Sequence, residues 1–173
     1  MVEKEIQRER EVETPALTHY DKSSQELREM NRKAKEGKKV LKSKSIPYEV
    51  NRQGVVKNYF KGDLTDICND RWTIFCHEIR QHSGKHLHQG GINLFVIKGE
   101  GYTTVDGKRY NWKEGDLILL PIKKGGVVHQ HFNTDGQPSK WVAFRHRTTS
   151  DGVGAFREQK ETFSMWKEKG QDK

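Results

Sequence analysis

Gly84-Lys-His86-Leu-His88-Gln89-Gly-Gly-Ile92-Asn-Leu-Phe-Val-Ile-Lys-Gly99-Glu-Gly101 is the stretch that decides the fold. Two histidines stand two residues apart and lead into an apolar run that closes on glycines. In an extended chain, residues i and i+2 share a face. His86 and His88 therefore point the same way if the segment is a strand. A third imidazole on a facing strand would complete a three-ligand site with open metal positions, and the chain offers one at His129.

The surroundings of His129 fit that role. They read Gly115-Asp-Leu-Ile-Leu-Leu-Pro121-Ile-Lys-Lys-Gly-Gly126-Val-Val-His129-Gln-His131-Phe-Asn133. Together the two segments resemble the paired signature motifs of the cupin superfamily. Gly115, Pro121, Gly126, His129 and Asn133 match the second motif, with the gap from Pro121 to Gly126 three residues longer than usual. Gly99 matches the close of the first. Arg80 stands where the opening glycine is expected, and Ile92 stands where the metal-binding Glu is expected. The resemblance spans residues 40–148 and carries over three ligands: His86, His88 and His129. An apolar residue at the Glu position is similar to the gentisate-type ring-cleaving dioxygenases.

The resemblance implies an all-β chain, a single-domain cupin (a double-stranded β-helix or jelly-roll barrel) with an N-terminal helical arm. The expected divisions are 1–39 for the charged arm and helix, 40–148 for the barrel, and 149–173 for a C-terminal tail. It also implies a divalent metal, ferrous iron first, with zinc, manganese, nickel or copper as alternatives. The implied enzyme is a dioxygenase that cleaves a small hydroxylated aromatic acid, working as a homodimer. Two other functions stay open: a non-oxidative cupin such as a decarboxylase or isomerase, and a non-catalytic cupin that binds a small ligand.

Composition agrees with one domain. The chain has 173 residues, of which 32% are hydrophobic, and the apolar positions concentrate between 46 and 144. The formal net charge is +8. Much of it lies in the basic band 28–44, while residues 1–27 are net acidic. A basic band can meet nucleic acid or an anionic membrane. No recognition motif or aromatic platform accompanies it, so a solvated helix face is the expectation and neither partner is. Cys68 and Cys76 do not form a CxxC pair. No signal peptide or long apolar run is apparent, and the expected setting is a soluble, reducing, cytoplasmic one.

The element reading follows from periodicity. Ser23 and Glu26 have capping-box spacing and predict a helix over 24–36 that stops at Gly37. From residue 40 the period becomes two. Strands are expected at Val55–Phe60, Trp72–Arg80, His86–Lys98, Leu117–Leu120, Val127–Asn133 and Trp141–Arg147. A hairpin is expected about Asp106-Gly107. In Trp72–Arg80, the residues Trp72, Ile74, Cys76, Glu78 and Arg80 share one face. Thr73, Phe75, His77 and Ile79 share the other.

Further site residues are expected around the metal. His131 shares the face of His129 and is a candidate for proton transfer or substrate contact. Gln89 follows the histidine pair and is a candidate for the mouth. Arg80 and Arg145 sit among apolar neighbours and offer a planar fork for a substrate carboxylate. The alternative for either arginine is an ion pair with Glu78 or Glu100. His77, His82 and His146 read as ordinary, and Trp72, Trp112 and Trp141 as wall or core.

Overall fold

The computed structural model describes residues 16–60 and 66–166. The charged segment expected before residue 16 lies outside them. The described residues fall into two compact units, 16–39 with 66–68, and 40–60 with 69–166.

The smaller unit is built on helix α1, His19–Glu36. It starts earlier than Ser23 predicts because Thr18 and Asp21 have the same capping spacing five residues upstream. The Thr18 N–H donates to Asp21 Oδ2 at 3.0 Å, and the Asp21 N–H donates to Thr18 Oγ1 at 3.2 Å. That reciprocal pair satisfies backbone donors which the first turn leaves without partners. The helix ends at Gly37 as expected, but not through a left-handed turn, since the backbone there is extended. Glycine is needed for space: a Cβ would lie 2.6 Å from both Lys33 O and Cys68 N.

The larger unit is a sandwich of two antiparallel sheets. Its strands are β1 Glu49–Asn51, β2 Gly54–Phe60, β3 Trp72–Ile79, β4 Lys85–His88, β5 Ile92–Lys98 and β6 Glu100–Val105. There follow β7 Lys108–Lys113, β8 Leu117–Leu120, β9 Val127–Asn133, β10 Ser139–His146 and β11 Arg157–Glu161. A short helix α2, Arg147–Gly152, precedes β11. One sheet runs β1-β2-β3-β10-β5-β8, and the other runs β11-β4-β9-β6-β7. The β6–β7 hairpin turns on Asp106 (φ 49°) and Gly107 (φ 83°), as Asp-Gly predicts. The core is formed by Ile79, Ile92, Leu94, Val96, Trp112, Ile118, Leu120, Trp141 and Ala143.

Two departures from the sequence reading place the site. His86–Lys98 is not one strand. Gly90 and Gly91, at φ 83° and 68°, break it and send β4 and β5 into different sheets. A side chain at Gly90 would strike Pro121 O at 1.8 Å, so the crossing needs glycine in both conformation and space. The tail after residue 148 is also more than a tail. Its strand β11 pairs with β4, with Arg157 opposite His88 and Gln159 opposite His86. An unpaired β4 edge would leave backbone groups unsatisfied, and β11 satisfies them.

Candidate metal centre

The two histidine segments meet because β4 and β9 are antiparallel neighbours with His86 directly opposite His129. Alternation turns His86, His88 and His129 inward together, and all three are buried. Their rings lie 4.1 Å (His86–His129), 4.6 Å (His88–His129) and 5.3 Å (His86–His88) apart between centroids. One nitrogen from each can be chosen so that all three lie within 4.8 Å of one another. That spacing suits a single ion bound on one face, as in catalytic rather than closed structural sites.

Electrostatics prepares these rings for a cation. Burial pushes all three pKa values below the ordinary imidazole value, to about 2 for His86, 3 for His88 and 4 for His129. For His86 and His88 the neighbouring imidazoles push further in the same direction. Neutral imidazole is the ligating form. The Nδ1 atoms of His129 and His86 face the carbonyls of Val127 (3.1 Å) and Gly84 (3.4 Å). A proton on Nδ1 serves those carbonyls and leaves Nε2 free to ligate. His88 differs, because its Nδ1 accepts the Gly90 N–H at 2.9 Å. Ligation by His88 requires it to give up that bond. With that one adjustment, the donor set fits a divalent ion.

The three rings share an inner cavity of about 20 Å³ with Phe75, His77, Ile92, Leu94, Leu120, His131 and Trp141 among its walls. Ile92 reaches it from the opposite sheet, at the position where a fourth, acidic ligand was expected to be replaced. His131 lies deeper. Its backbone N–H donates to Ser83 Oγ at 2.9 Å, and its carbonyl accepts the Ser83 N–H at 2.8 Å. The indole N–H of Trp112 donates to Thr103 Oγ1 at 2.9 Å, which frees the hydroxyl proton for His131 Nδ1 at 2.8 Å. With the Thr103 hydroxyl donating to Nδ1, the neutral His131 ring carries its proton on Nε2. Burial first, and then His129, hold its pKa well below 6.5. Such a ring is a neutral hydrogen-bond donor, which favours contact over proton storage.

Outside the inner cavity lies a vestibule of about 280 Å³. His86, His88, Ile92, Phe75, Thr73, Arg145 and Arg157 are among the residues that line it. Arg145 comes to it because it shares the parity of Trp141 and Ala143 on β10, both of which face the core. Its Nε is buried with no hydrogen-bond partner among the described residues.

Arg80 and Gln89 are not brought to the site. Arg80 follows the outward parity of Glu78 and pairs with it at 3.1 Å, the alternative that the sequence left open. Gln89 has the opposite parity to His86 and His88. Its side chain holds the segment before β11 instead: Nε2 donates to Gly154 O at 3.2 Å, and Oε1 accepts the Phe156 N–H at 2.9 Å. Asn133 organises the turn after β9, donating to the carbonyls of Arg80, Asp135 and Gln137. Three contributors were missed. His77 is buried on the cavity wall with Nε2 unpartnered, a placement its parity with Phe75 and Ile79 could have signalled. Thr103 orients His131, and Arg157 lies on a strand that no local periodicity announced.

The sandwich and its inward imidazole triad define a cupin barrel, and residues 75–145 match the family model for the cupin domain. Within that class the chain resembles gentisate-type dioxygenases. It is 36% identical over 64 residues to gentisate 1,2-dioxygenase from Streptomyces sp, covering 36% of this chain and 17% of that protein. It is 30% identical over 79 residues to acireductone dioxygenase 4 from Oryza sativa subsp. japonica, covering 43% and 41%. The chain thus spans less than half the length of these curated relatives. Among solved structures, a variant of salicylate 1,2-dioxygenase from Pseudoaminobacter salicylatoxidans in complex with gentisate shares the fold. Its TM-score is 0.52 and its identity 20%, over 80% of this chain and 37% of that one. A cupin-like protein from Thermotoga maritima aligns with TM-score 0.50 and 19% identity, over 66% and 87%. Among the described residues, no helix is long and apolar enough to cross a membrane.

Ile92 gives the centre a test. In an Arg145→Met background, so that Arg145 cannot capture the new carboxylate, Ile92→Glu is expected to tighten zinc binding at least about tenfold by adding a fourth donor. Competition titration against a chromophoric chelator reads the affinity. Unchanged affinity would mean that Ile92 does not face the ligands.

Proposed function

We propose that this chain is a metal-dependent dioxygenase acting on a small hydroxylated aromatic acid. The observation that carries the reading is the junction of a neutral three-histidine centre with a vestibule that presents an unpartnered guanidinium. The similarity to gentisate and acireductone dioxygenases supports the class of reaction.

Size divides the labour. An inner cavity of about 20 Å³ has room for an ion and little more. The vestibule, at about 280 Å³, lies at the lower limit of small-molecule pockets and suits one aromatic ring. The ring therefore sits in the vestibule with its hydroxylated edge toward the histidines. Arg145 donates to the carboxylate and fixes the orientation. Phe75, Ile92 and Leu120 keep water from the reacting edge. His131, held by Thr103, presents its Nε2 proton as a hydrogen-bond donor from the cavity wall. A redox-active divalent metal, ferrous iron in this proposal, supplies when bound the electronic connection between ring and dioxygen that ring cleavage requires.

Anaerobically iron-loaded protein is expected to consume oxygen with a member of a panel of hydroxybenzoates and hydroxynaphthoates. Each acid should exceed its amide at least about tenfold in kcat/KM, because losing a charge-assisted contact leaves a desolvated guanidinium unpaired. An oxygen electrode reads the rates, and Arg145→Met should erase the preference. No uptake with any acid or catechol at full ferrous occupancy would reject the dioxygenase in favour of non-oxidative chemistry.

A further inference from the structure

We infer that Arg157, brought by the C-terminal strand to the vestibule, forms with Arg145 a two-arginine clamp for the anionic group of the ligand. The inference rests on the vestibule being the substrate site, and it assigns a specificity role to a segment outside the matched cupin region.

Strand pairing sets the geometry. Arg157 stands opposite His88 across the β11–β4 ladder, while Arg145 stands opposite Ile92 across β10–β5. Each therefore borders the metal centre from a different sheet, and both line the same vestibule. Neither makes an ion pair among the described residues, and the Arg145 Nε is buried without any acceptor. Arg157 keeps one side in solvent. Burial of its other side, and then the charge of Arg145, push its pKa down, so the two guanidiniums repel each other. The one carboxylate lining the vestibule, Glu49, is held by amide groups instead: its Oε1 accepts from Asn51 Nδ2 at 3.0 Å and Asn58 Nδ2 at 2.8 Å. The remaining polar groups there are neutral. Two adjacent cations that make no ion pair with the Glu49 carboxylate favour an anion that bridges them, and planar guanidinium forks match a carboxylate.

Benzoate and benzamide separate this site from the oxidation chemistry, because neither carries the ring hydroxyl on which the proposed reaction depends. Calorimetric titration of the zinc-loaded protein should show benzoate binding at least about tenfold tighter than benzamide. Arg157→Met should reduce that preference about tenfold, with benzamide affinity unchanged. Arg157→Lys, which keeps the charge and the aliphatic stem packed in β11, should restore part of it. Because β11 is an edge strand, Arg145→Met on the central strand β10 gives an independent reading and should also lose the preference. Wild-type benzoate preference in Arg157→Met, or equal binding of benzoate and benzamide by the wild type, overturns the clamp. Loss in both Arg157→Met and Arg157→Lys, with Arg145→Met unaffected, also overturns it, since the charge pair would then not be what binds. Benzoate preference without oxygen uptake rejects the dioxygenase and keeps the clamp; uptake without benzoate preference does the reverse.

Discussion

His129→Ala is expected to abolish stoichiometric metal binding. His129 is the neighbour shared by the other two rings, at 4.1 Å from His86 and 4.6 Å from His88. Without it, two imidazoles remain on one strand, 5.3 Å apart, and β9 offers only the deeper His131, which lies outside the ligand group. Even outer-shell changes weaken metal sites about 10–100-fold, so losing a ligand of three should weaken this one at least about a hundredfold. His86→Ala and His88→Ala should behave alike. The measurement is elemental analysis of protein purified anaerobically without chelator or histidine tag, with circular dichroism to confirm folding. Full occupancy in any folded single variant would disprove the ligand set.

Metal-free protein should be strongly acid-labile, and the sign follows from burial. Five histidines are buried: His77, His86, His88, His129 and His131. The first four have pKa values of about 3, 2, 3 and 4, and that of His131 is well below 6.5. Unfolding returns each to about 6.5. Below that value the unfolded chain binds more protons than the folded one, so stability present above pH 6.5 is lost as pH falls toward the folded values. At pH 5 the loss is about 2 kcal/mol for each of His77, His86, His88 and His129, or about 8 kcal/mol for the four, and His131 acts in the same direction. That is comparable with the whole stability of a domain, about 5–15 kcal/mol. The lowered carboxyl pKa values of Glu78 and Asp106 act in the same direction, but only as pH falls below their ordinary values of 4.5 and 3.8.

Urea titration of chelator-treated protein should therefore show its midpoint falling steadily from pH 7 and vanishing near pH 5. Zinc-loaded protein should persist to lower pH, because the folded ligands resist protonation and the ion binds only the folded state. A urea midpoint unchanged between pH 7 and pH 5 in the metal-free protein would contradict the buried, neutral state of these rings.

Much of the centre was legible in the chain because a strand has a period of two. His86 and His88 had to share a face, and the glycine-flanked motifs placed His129 and Ile92 beside them. The same parity separates the two candidate arginines. Arg80 falls in register with Glu78, while Arg145 falls in register with Trp141 and Ala143, so one faces out and the other in. The helix start was misplaced because Ser23 and Thr18 carry equivalent capping signals, and only the reciprocal bonds of Thr18 and Asp21 decide between them.

The two-residue period of a strand by itself turns His86 and His88 to one face, and the resemblance of the two glycine-flanked motifs to the cupin superfamily supplied the barrel class, the third imidazole and the apolar residue facing them. Tertiary structure alone decided that Gln89 serves the chain after α2, that Thr103 and Trp112 join His131 in a buried hydrogen-bond chain, and that Arg157 reaches the vestibule. Each of these depends on pairing between segments distant in sequence, such as β11 on β4. Polar, charged residues like those of β11 form a strand only when a partner edge supplies hydrogen bonds, and no local pattern encodes which edge that is.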